Sequence, residues 1–549
     1  MTYTPGDEQR EVIDADDPVL VVCGGAGTGK TTTAAAAVRA HLERVDRGQA
    51  ARAVGHRRAR PPVARALFLS FSRSSVAQIL DRTADVLGPY QPRVETTTFH
   101  AFAWRLITRW GPVIGLTGPE MLSDTEAKLF RSDGVIRYQD MLPRALDLCA
   151  VPAVREHLRA RWSIIVSDEF QDTDDQQFEL LTTIRGQARL LLLGDPNQCI
   201  YSTLPGAKGV GPERLDAALA LPGARRIDLP DVSHRDPSNI LPAAAAAIRR
   251  RQFEHEAVTA ALDTGRLHIR AGLPPDREAD IVAEVVQRLS EEGNTVGLFS
   301  HHIDATTGLS DQLTQRGIDH EIIGLPECLT AALDAQHAMV RFAGGAADWT
   351  LVQQRLAVFV TSSVRGNQVP QLAWMLLGHG TLPATLDRRL AQLRKSLPAD
   401  GVTGAVAHAA GAHAGLGLPR GERHWQRATQ LLRPTVTRIL RRHAEPGDAL
   451  ERLDAAIGEQ RTGLLTYATS EPTAPVQLMG LYQTKGREAD ATVVVLRSSD
   501  FYGYERDEPF ETGSRLLYVV LTRARHKTVV LLFGDDPKPL VAPLTKLAV

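Results

Sequence analysis

Apolar residues come in short unbroken runs along this chain, at residues 19–22, 66–70, 163–166, 190–193, 295–300, 491–496 and 528–533. An unbroken run of that length suits a strand buried on both faces, because a strand with one wet face would alternate apolar and polar residues. Stretches of helical pattern separate the runs, and that alternation builds a parallel sheet flanked by helices. The pattern predicts an α/β chain with two such sheets. The runs at 491–496 and 528–533 lie far from 295–300, so the second sheet is expected to contain a long insertion.

Two segments interrupt the alternation. Residues from about 103 to 160 are mostly helical in pattern, with breaks at Gly111-Pro112 and Gly118-Pro119. Residues from about 361 to 473 are rich in Ala, Leu, Arg and Gly and also read as helical. The expected division is a first lobe over 1–230 and a second over 231–549, each carrying one insertion. The alanine run at 243–247, followed by Arg249, Arg250 and Arg251, reads as helix. An Arg-rich stretch over 44–65 contains Pro61-Pro62, which marks a loop, and reads as a solvated loop rather than a contact to a DNA backbone.

Composition narrows the class. A chain of 549 residues allows about three to five structural units, and 43% hydrophobic with 23% charged residues is ordinary for a soluble globular protein. The four cysteines, Cys23, Cys149, Cys199 and Cys328, form no C-x-x-C pair, which argues against a zinc site or disulfide framework and fits a reducing cytoplasm. The polar N-terminus does not read as a signal peptide, and no apolar run reaches membrane-spanning length, so no membrane partner is expected. Net charge is −1, so binding to nucleic acid must come from local patches.

The strongest chemical signal is Gly24-Gly25-Ala26-Gly27-Thr28-Gly29-Lys30-Thr31, a full match to G-x-x-x-x-G-K-[ST]. It follows the run at 19–22 and leads into a helical stretch opened by Thr32. Glycines there let backbone N–H groups wrap phosphates, and the helix N-terminus favours negative charge. Lys30 is expected on the β and γ phosphates of ATP, and the Thr31 hydroxyl on Mg²⁺. The run at 163–166 ends in Asp168-Glu169, a pair suited to holding the metal (Asp168) and polarising the attacking water (Glu169). Gln198, after the run at 190–193, is a candidate γ-phosphate contact.

With Asp168-Glu-Phe-Gln-Asp172 and Gly194-Asp-Pro-Asn-Gln198-Cys-Ile-Tyr201 in view, the sequence resembles a superfamily 1 helicase of the UvrD/Rep/PcrA type. The match continues in order along nearly the whole chain. Gln9 resembles the family's N-terminal Gln that reads the adenine edge. Ser70-Phe71-Ser-Arg73 and Thr98-Phe99-His100 resemble motifs that touch single-stranded DNA, and Tyr201 and Lys485 are assigned to the same strand by this resemblance. Ser233-His-Arg235 resembles the motif whose Arg points at the γ-phosphate. Gln483-Thr-Lys485-Gly-Arg-Glu488 resembles the motif whose Glu approaches the ribose, and Leu517-Tyr518-Val-Val-Leu-Thr522-Arg523-Ala524 the motif that supplies an arginine finger. The resemblance implies two RecA-like P-loop lobes around one ATP, and 3′ to 5′ movement along single-stranded DNA.

The departures fall on the DNA motifs rather than the ATP motifs. After Tyr201 the family's aromatic-Arg-Gly-Ala run is replaced by Ser202-Thr-Leu-Pro205-Gly-Ala207. Gly480-Leu-Tyr482 stands where Thr-x-His is usual, Arg487 where Leu is usual, and His301-His302 where an Arg is usual; these two His read as loop residues. Tyr482 and Trp374 read as core rather than base-stacking residues. The chain ends soon after Arg523, so a fused nuclease is not expected. Three functions compete: a DNA helicase or translocase, a DNA-activated ATPase serving as the motor of a larger repair or phage-defence complex, and a binding module with a degenerate ATP site. The intact set Lys30, Thr31, Asp168, Glu169, Gln198, Arg235 and Arg523 argues against the third.

Overall fold

The structure is a computed structural model, and it describes residues 4–53, 63–71, 76, 79, 83–130, 135–202, 207–301, 303–323, 327–364, 368–399, 401–442, 448, 450–457, 474–498, 500 and 505–548. Arg73, His302, residues 54–62 of the Arg-rich stretch and residues 203–206 lie outside these residues, whereas residues 44–53, expected as loop, are the end of helix Lys30–Ala53.

The strands in chain order are β1 (Val19–Cys23), β2 (Ala66–Ser70), β3 (Val94–Thr98), β4 (Glu120–Leu122), β5 (Val135–Arg137), β6 (Ile164–Ser167), β7 (Arg189–Gly194), β8 (Ala224–Asp228), β9 (Leu267–Leu273), β10 (Val296–Ser300), β11 (His320–Ile322), β12 (Val476–Gly480), β13 (Ala489–Arg497) and β14 (Ala524–Phe533). They form two six-stranded sheets, ordered β3-β2-β6-β7-β1-β8 and β11-β12-β10-β13-β14-β9, and a small β4-β5 pair. Every pairing is parallel. The fold is α/β with two parallel six-stranded sheets, as expected, and all seven apolar runs are strands within them.

The chain divides into two compact units. The first comprises Met1–Gly115, Gln139–Ile323 and Glu471–Val549 and contains both large sheets; the second comprises Leu116–Tyr138 and Gly324–Ser470. In the first unit, β1, β2 and β6 are buried along their whole length, with helices Asp7–Asp14 and Lys30–Ala53 contributing to the apolar layer on one face. The alanine run lies in helix Ile240–Arg249, whose Ala244, Ala245 and Ala247 are buried.

The second unit is helical apart from β4 and β5. Helices Glu327–Ala343, Trp349–Ser362, Gly401–Leu416 and Glu422–Arg442 surround a core in which Trp425 and Phe359 are fully buried. Trp425 Nε1 donates to Ala409 O at 2.9 Å, and Gln336 Nε2 donates to Trp425 O at 2.7 Å, so the ring enters the core with its polar atom satisfied. Residues from the earlier segment join this core through Leu129 and through the Glu126–Arg355 ion pair.

Sheet order brings the chemistry together. β7 lies between β1 and β6, so the loops after β1, β6 and β7 emerge side by side at one edge of the sheet. Those loops carry Gly24–Thr31, Asp168-Glu169 and Asp195–Gln198 respectively. Ligands of open parallel sheets bind at this carboxyl edge.

Candidate active site

The loop after β1 is tightly wound. Gly27 and Gly29 have φ of +79° and +84°, a region L side chains rarely adopt. A Cβ on Gly27 would also stand 2.3 Å from Ser233 Oγ, so glycine is needed on two counts. Thr28 Oγ1 donates to Gly25 O at 3.1 Å, and Gln9 Nε2 donates to Thr28 O at 3.2 Å. Lys30 folds back, its Nζ donating to Gly24 O at 2.6 Å and Gly25 O at 2.9 Å. The helix Lys30–Ala53 starts directly behind the loop, with Thr32 in its first turn.

Asp168 meets Thr31 here, with Thr31 Oγ1 donating to Asp168 Oδ2 at 3.4 Å. Burial, then the neighbouring Glu169 charge, pushes the Asp168 carboxyl up to about 6 against the pull of Lys30. A carboxylate and a hydroxyl sharing one pocket, with an ionised form that burial disfavours, fit a hard divalent cation such as Mg²⁺. Glu169 has φ +52°, a strained backbone for a non-glycine residue. Burial raises its pKa, but the charges of Lys485 and Lys30, a hydrogen bond from Gln171, and Arg523 outweigh burial and hold it below the usual range. The two adjacent carboxyls are thus driven apart, one toward the proton and one away from it.

A hydrogen-bond chain starts at Glu169. Gln171 Nε2 donates to Glu169 Oε2 at 2.7 Å, and Asp195 N donates to Gln171 Oε1 at 3.0 Å. Gln198 Nε2 then donates to Asp195 Oδ2 at 2.8 Å, and Arg523 Nη2 donates to Gln198 Oε1 at 3.1 Å. Arg523 belongs to the stretch between helix Glu511–Leu521 and β14, so the chain crosses from the first sheet's loops to the second sheet's. Its guanidinium is 2% exposed and anchored to Val519 O at 2.7 Å.

A second crossing runs over the phosphate loop. His234 N donates to Gly27 O at 2.8 Å. Arg235 is ion-paired with Glu488, and its Nη1 donates to Thr522 O at 2.8 Å. A third crossing joins the nucleic-acid motifs to the site. The Phe71 and Tyr201 rings stack at 4.6 Å, and Tyr201 Oη donates to Tyr482 O at 2.8 Å. Lys485 pairs with Asp172, lies 3.3 Å from Glu169 Oε2, and donates to Gln198 O at 2.7 Å. Its ammonium is therefore turned into the carboxylate cluster rather than outward. Of the other residues assigned to the strand, Ser70 and Phe99 are buried, Thr98 caps helix Phe99–Trp110 by accepting from Ala101 N, and burial lowers His100 to about 4.

A family model described as "AAA domain" matches residues 9–204. "ATP-dependent DNA helicase UvrD1" of Mycobacterium bovis is 24% identical over 398 residues, covering 58% of this chain and 49% of that protein. "DNA helicase II" of Escherichia coli is 35% identical over 118 residues, 21% of this chain and 16% of its own length. Over these stretches the chain is similar to helicases of the UvrD type. "RecBCD enzyme subunit RecB" of Mycolicibacterium smegmatis is 38% identical over a shorter stretch of 87 residues, 15% of this chain and 8% of that protein. The chain spans about half the length of the UvrD1 relative.

The departures from the family pattern have structural positions. His301 is not a free loop residue: it is 6% exposed, and its Nδ1 lies 3.9 Å from Asp500 Oδ1. Arg487 is buried with Nη1 donating to Gln477 Oε1 at 3.3 Å, and burial lowers its pKa to about 10. Tyr482 packs against the second sheet's apolar layer. Trp374 is half-buried in the second unit, edge-on to His379. Three residues that sequence reasoning passed over stand at the phosphate loop. His234 lies beside Gly29 and Gln9, Asp231 lies beside Gly25, and the Tyr518 hydroxyl accepts from Ala26 N at 3.3 Å. His234 and Tyr518 sit inside motifs already singled out, Ser233–Arg235 and Leu517–Ala524, so their positions were legible although no role was given to either; Asp231 lies outside both.

Proposed function

We propose that this chain couples ATP hydrolysis to movement along single-stranded DNA, in the 3′ to 5′ direction, with residues 1–230 and 231–549 as the two lobes of the motor. The observation that carries the reading is the hydrogen-bond chain Glu169–Gln171–Asp195–Gln198–Arg523, which ties the hydrolytic carboxylate to the far lobe's arginine. The loop N–H groups and Lys30 would hold the ATP phosphates, Gln9 and Glu488 the base and ribose. Thr31 and Asp168 would hold Mg²⁺, which supplies charge neutralisation at the phosphates. Glu169, kept ionised, accepts the proton of the attacking water as its oxygen bonds to the γ-phosphorus and the bond to ADP breaks. Arg523 and Arg235 stabilise the charge that develops on the transferred group. The strand would lie along Ser70, Phe71, Arg73, Thr98–His100, Tyr201 and Lys485.

Among the described residues no helix is long and apolar enough to cross a membrane, and the four cysteines are free and buried, which supports a cytoplasmic setting. A second reading rests on Lys485, Arg487 and Tyr482. Their engagement inside the protein favours an ATPase that unwinds weakly alone and works as the motor of a repair or phage-defence complex. Steady-state ATP hydrolysis with and without a single-stranded oligonucleotide, followed by unwinding of 3′-tailed and 5′-tailed duplexes, separates the readings. Large stimulation with unwinding of the 3′-tailed substrate is expected. Stimulation without unwinding favours the second reading, and turnover that ignores DNA would overturn both.

A further inference from the structure

Outside the ATP cleft, the second sheet carries a cavity of about 390 Å³ between its open edge and helix Glu278–Glu291. In parallel register His268 pairs with Val529 and Arg270 with Leu531, so these side chains share one face of the sheet. On the inner strands that face is apolar: Val493, Val495, Val529 and Leu531 lie under Val282, Val285, Val286 and Leu289 of the helix. On the edge strand β9 the same face switches to His268 and Arg270. Arg288 on the helix and Lys527 at the start of β14 complete the lining, with Val529 as floor and Glu292 as the only carboxylate.

The charges in this cavity do not balance. Lys527 lies 3.8 Å from Glu292, a loose pair. The side chains of Arg270 and Arg288 make no hydrogen bond or ion pair among the described residues. Burial, then the charges of Lys527 and Arg288, hold the His268 imidazole below its ordinary range, so the cluster repels added positive charge. Three permanent cations around one carboxylate is a local excess in a chain whose net charge is −1. Guanidinium pairs are matched in shape to phosphate oxygens, and a lysine supplies a point charge beside them.

We propose that this cavity is a second nucleic-acid contact, in which Arg270, Arg288 and Lys527 grip backbone phosphates at the edge of the second sheet, away from the strand motifs. The proposal rests on the reading of the chain as a DNA motor. The site is built for phosphate rather than for base identity, so it would add affinity and salt dependence without sequence preference. An acidic protein segment could meet the same charges, and the test therefore includes one.

The test is the salt dependence of oligonucleotide binding by the full chain, alongside its ATP hydrolysis. The variant R270Q/R288Q keeps both aliphatic stems, and since neither side chain bonds anything it should fold normally. Its affinity for a single-stranded oligonucleotide is expected to fall about tenfold, and the slope of log K against log salt to become shallower by about 1.4, two contacts at about 0.7 each. ATP turnover without DNA should not change. Glu292→Gln should act in the opposite direction, tightening binding severalfold by releasing Lys527. Equal slopes in wild type and double variant would overturn the site, whatever the ATPase result. Displacement of the oligonucleotide from wild type by polyglutamate as readily as by polyphosphate, lost in the double variant, would overturn it in favour of an acidic protein partner. Wild-type hydrolysis that ignores DNA, with no oligonucleotide bound, would remove the motor reading and the site together, and unchanged slopes beside DNA-stimulated hydrolysis would remove the site alone.

Discussion

At the scale of single residues, Asp168 and Glu169 illustrate how two adjacent carboxyls acquire opposite pKa shifts. Burial acts on both, but Lys485 and Gln171 press on Glu169, while Asp168 has Glu169 as its neighbour. The result is one carboxyl pushed up to about 6 and one held ionised. Glu169→Gln keeps the hydrogen-bonding shape and removes the proposed base. Turnover should fall by about 10²–10⁴ while ATP still binds, measured by single-turnover hydrolysis and by nucleotide titration. Normal turnover would mean that another group accepts the proton. Arg523→Lys keeps a charge but loses the planar fork that reaches Gln198 and Val519 O. A kcat loss approaching the roughly 10³-fold of an arginine finger, with nucleotide affinity nearly intact, is expected. A loss of affinity without loss of kcat would assign Arg523 to binding instead.

At the scale of elements, the strands that apolar runs revealed are mostly interior ones, and those they did not reveal are mostly at edges. β3 reads Val-Glu-Thr-Thr-Thr and β8 reads Ala-Arg-Arg-Ile-Asp, and both lie at the borders of the first sheet. β9 and β11 border the second. An edge strand is wetter and tolerates charge, so its composition does not announce it. β12 is interior but interrupted by Gln477, and it was hidden beside the second insertion. Helix Lys30–Ala53, behind the phosphate loop, carries a different signature. Burial, then Arg189 and Arg44, push the His41 imidazole down to about 4. A histidine with a lowered folded pKa is bound neutral, so its share of stability is present above about 6.5 and is lost as pH falls from there toward 4. Asp168, raised in the fold, works the other way over an overlapping range. Comparing wild type with His41→Leu isolates the histidine. The drop in Tm between pH 7.5 and pH 5 should be smaller in the variant, by a few degrees at most. Parallel pH curves would show that His41 is neutral in neither state's favour.

At the scale of the whole molecule, the proposed motor raises the question of how strand binding would reach the ATP site. Phe71 and Tyr201 stack together, Tyr201 holds the Tyr482 carbonyl, and three residues later Lys485 touches Glu169. Tyr201→Ala should leave DNA-independent hydrolysis within about threefold and cut stimulation by single-stranded DNA at least fivefold, in line with the roughly 1–3 kcal/mol of one aromatic stack. Full stimulation in this variant would place the coupling elsewhere. The phosphate loop, the Asp168-Glu169 pair, Gln198 and the α/β class were legible from residue order, because each depends on a local pattern: a glycine spacing, a strand end, an unbroken apolar run. What residue order could not determine is which distant groups meet. That Arg523 closes on Gln198, that Lys485 turns inward to Asp172, and that Leu116–Tyr138 packs with Gly324–Ser470 were decided by the tertiary structure. The physical reason is that burial, charge pairing and packing act between neighbours in space, and folding selects those neighbours from parts of the chain that may be hundreds of residues apart.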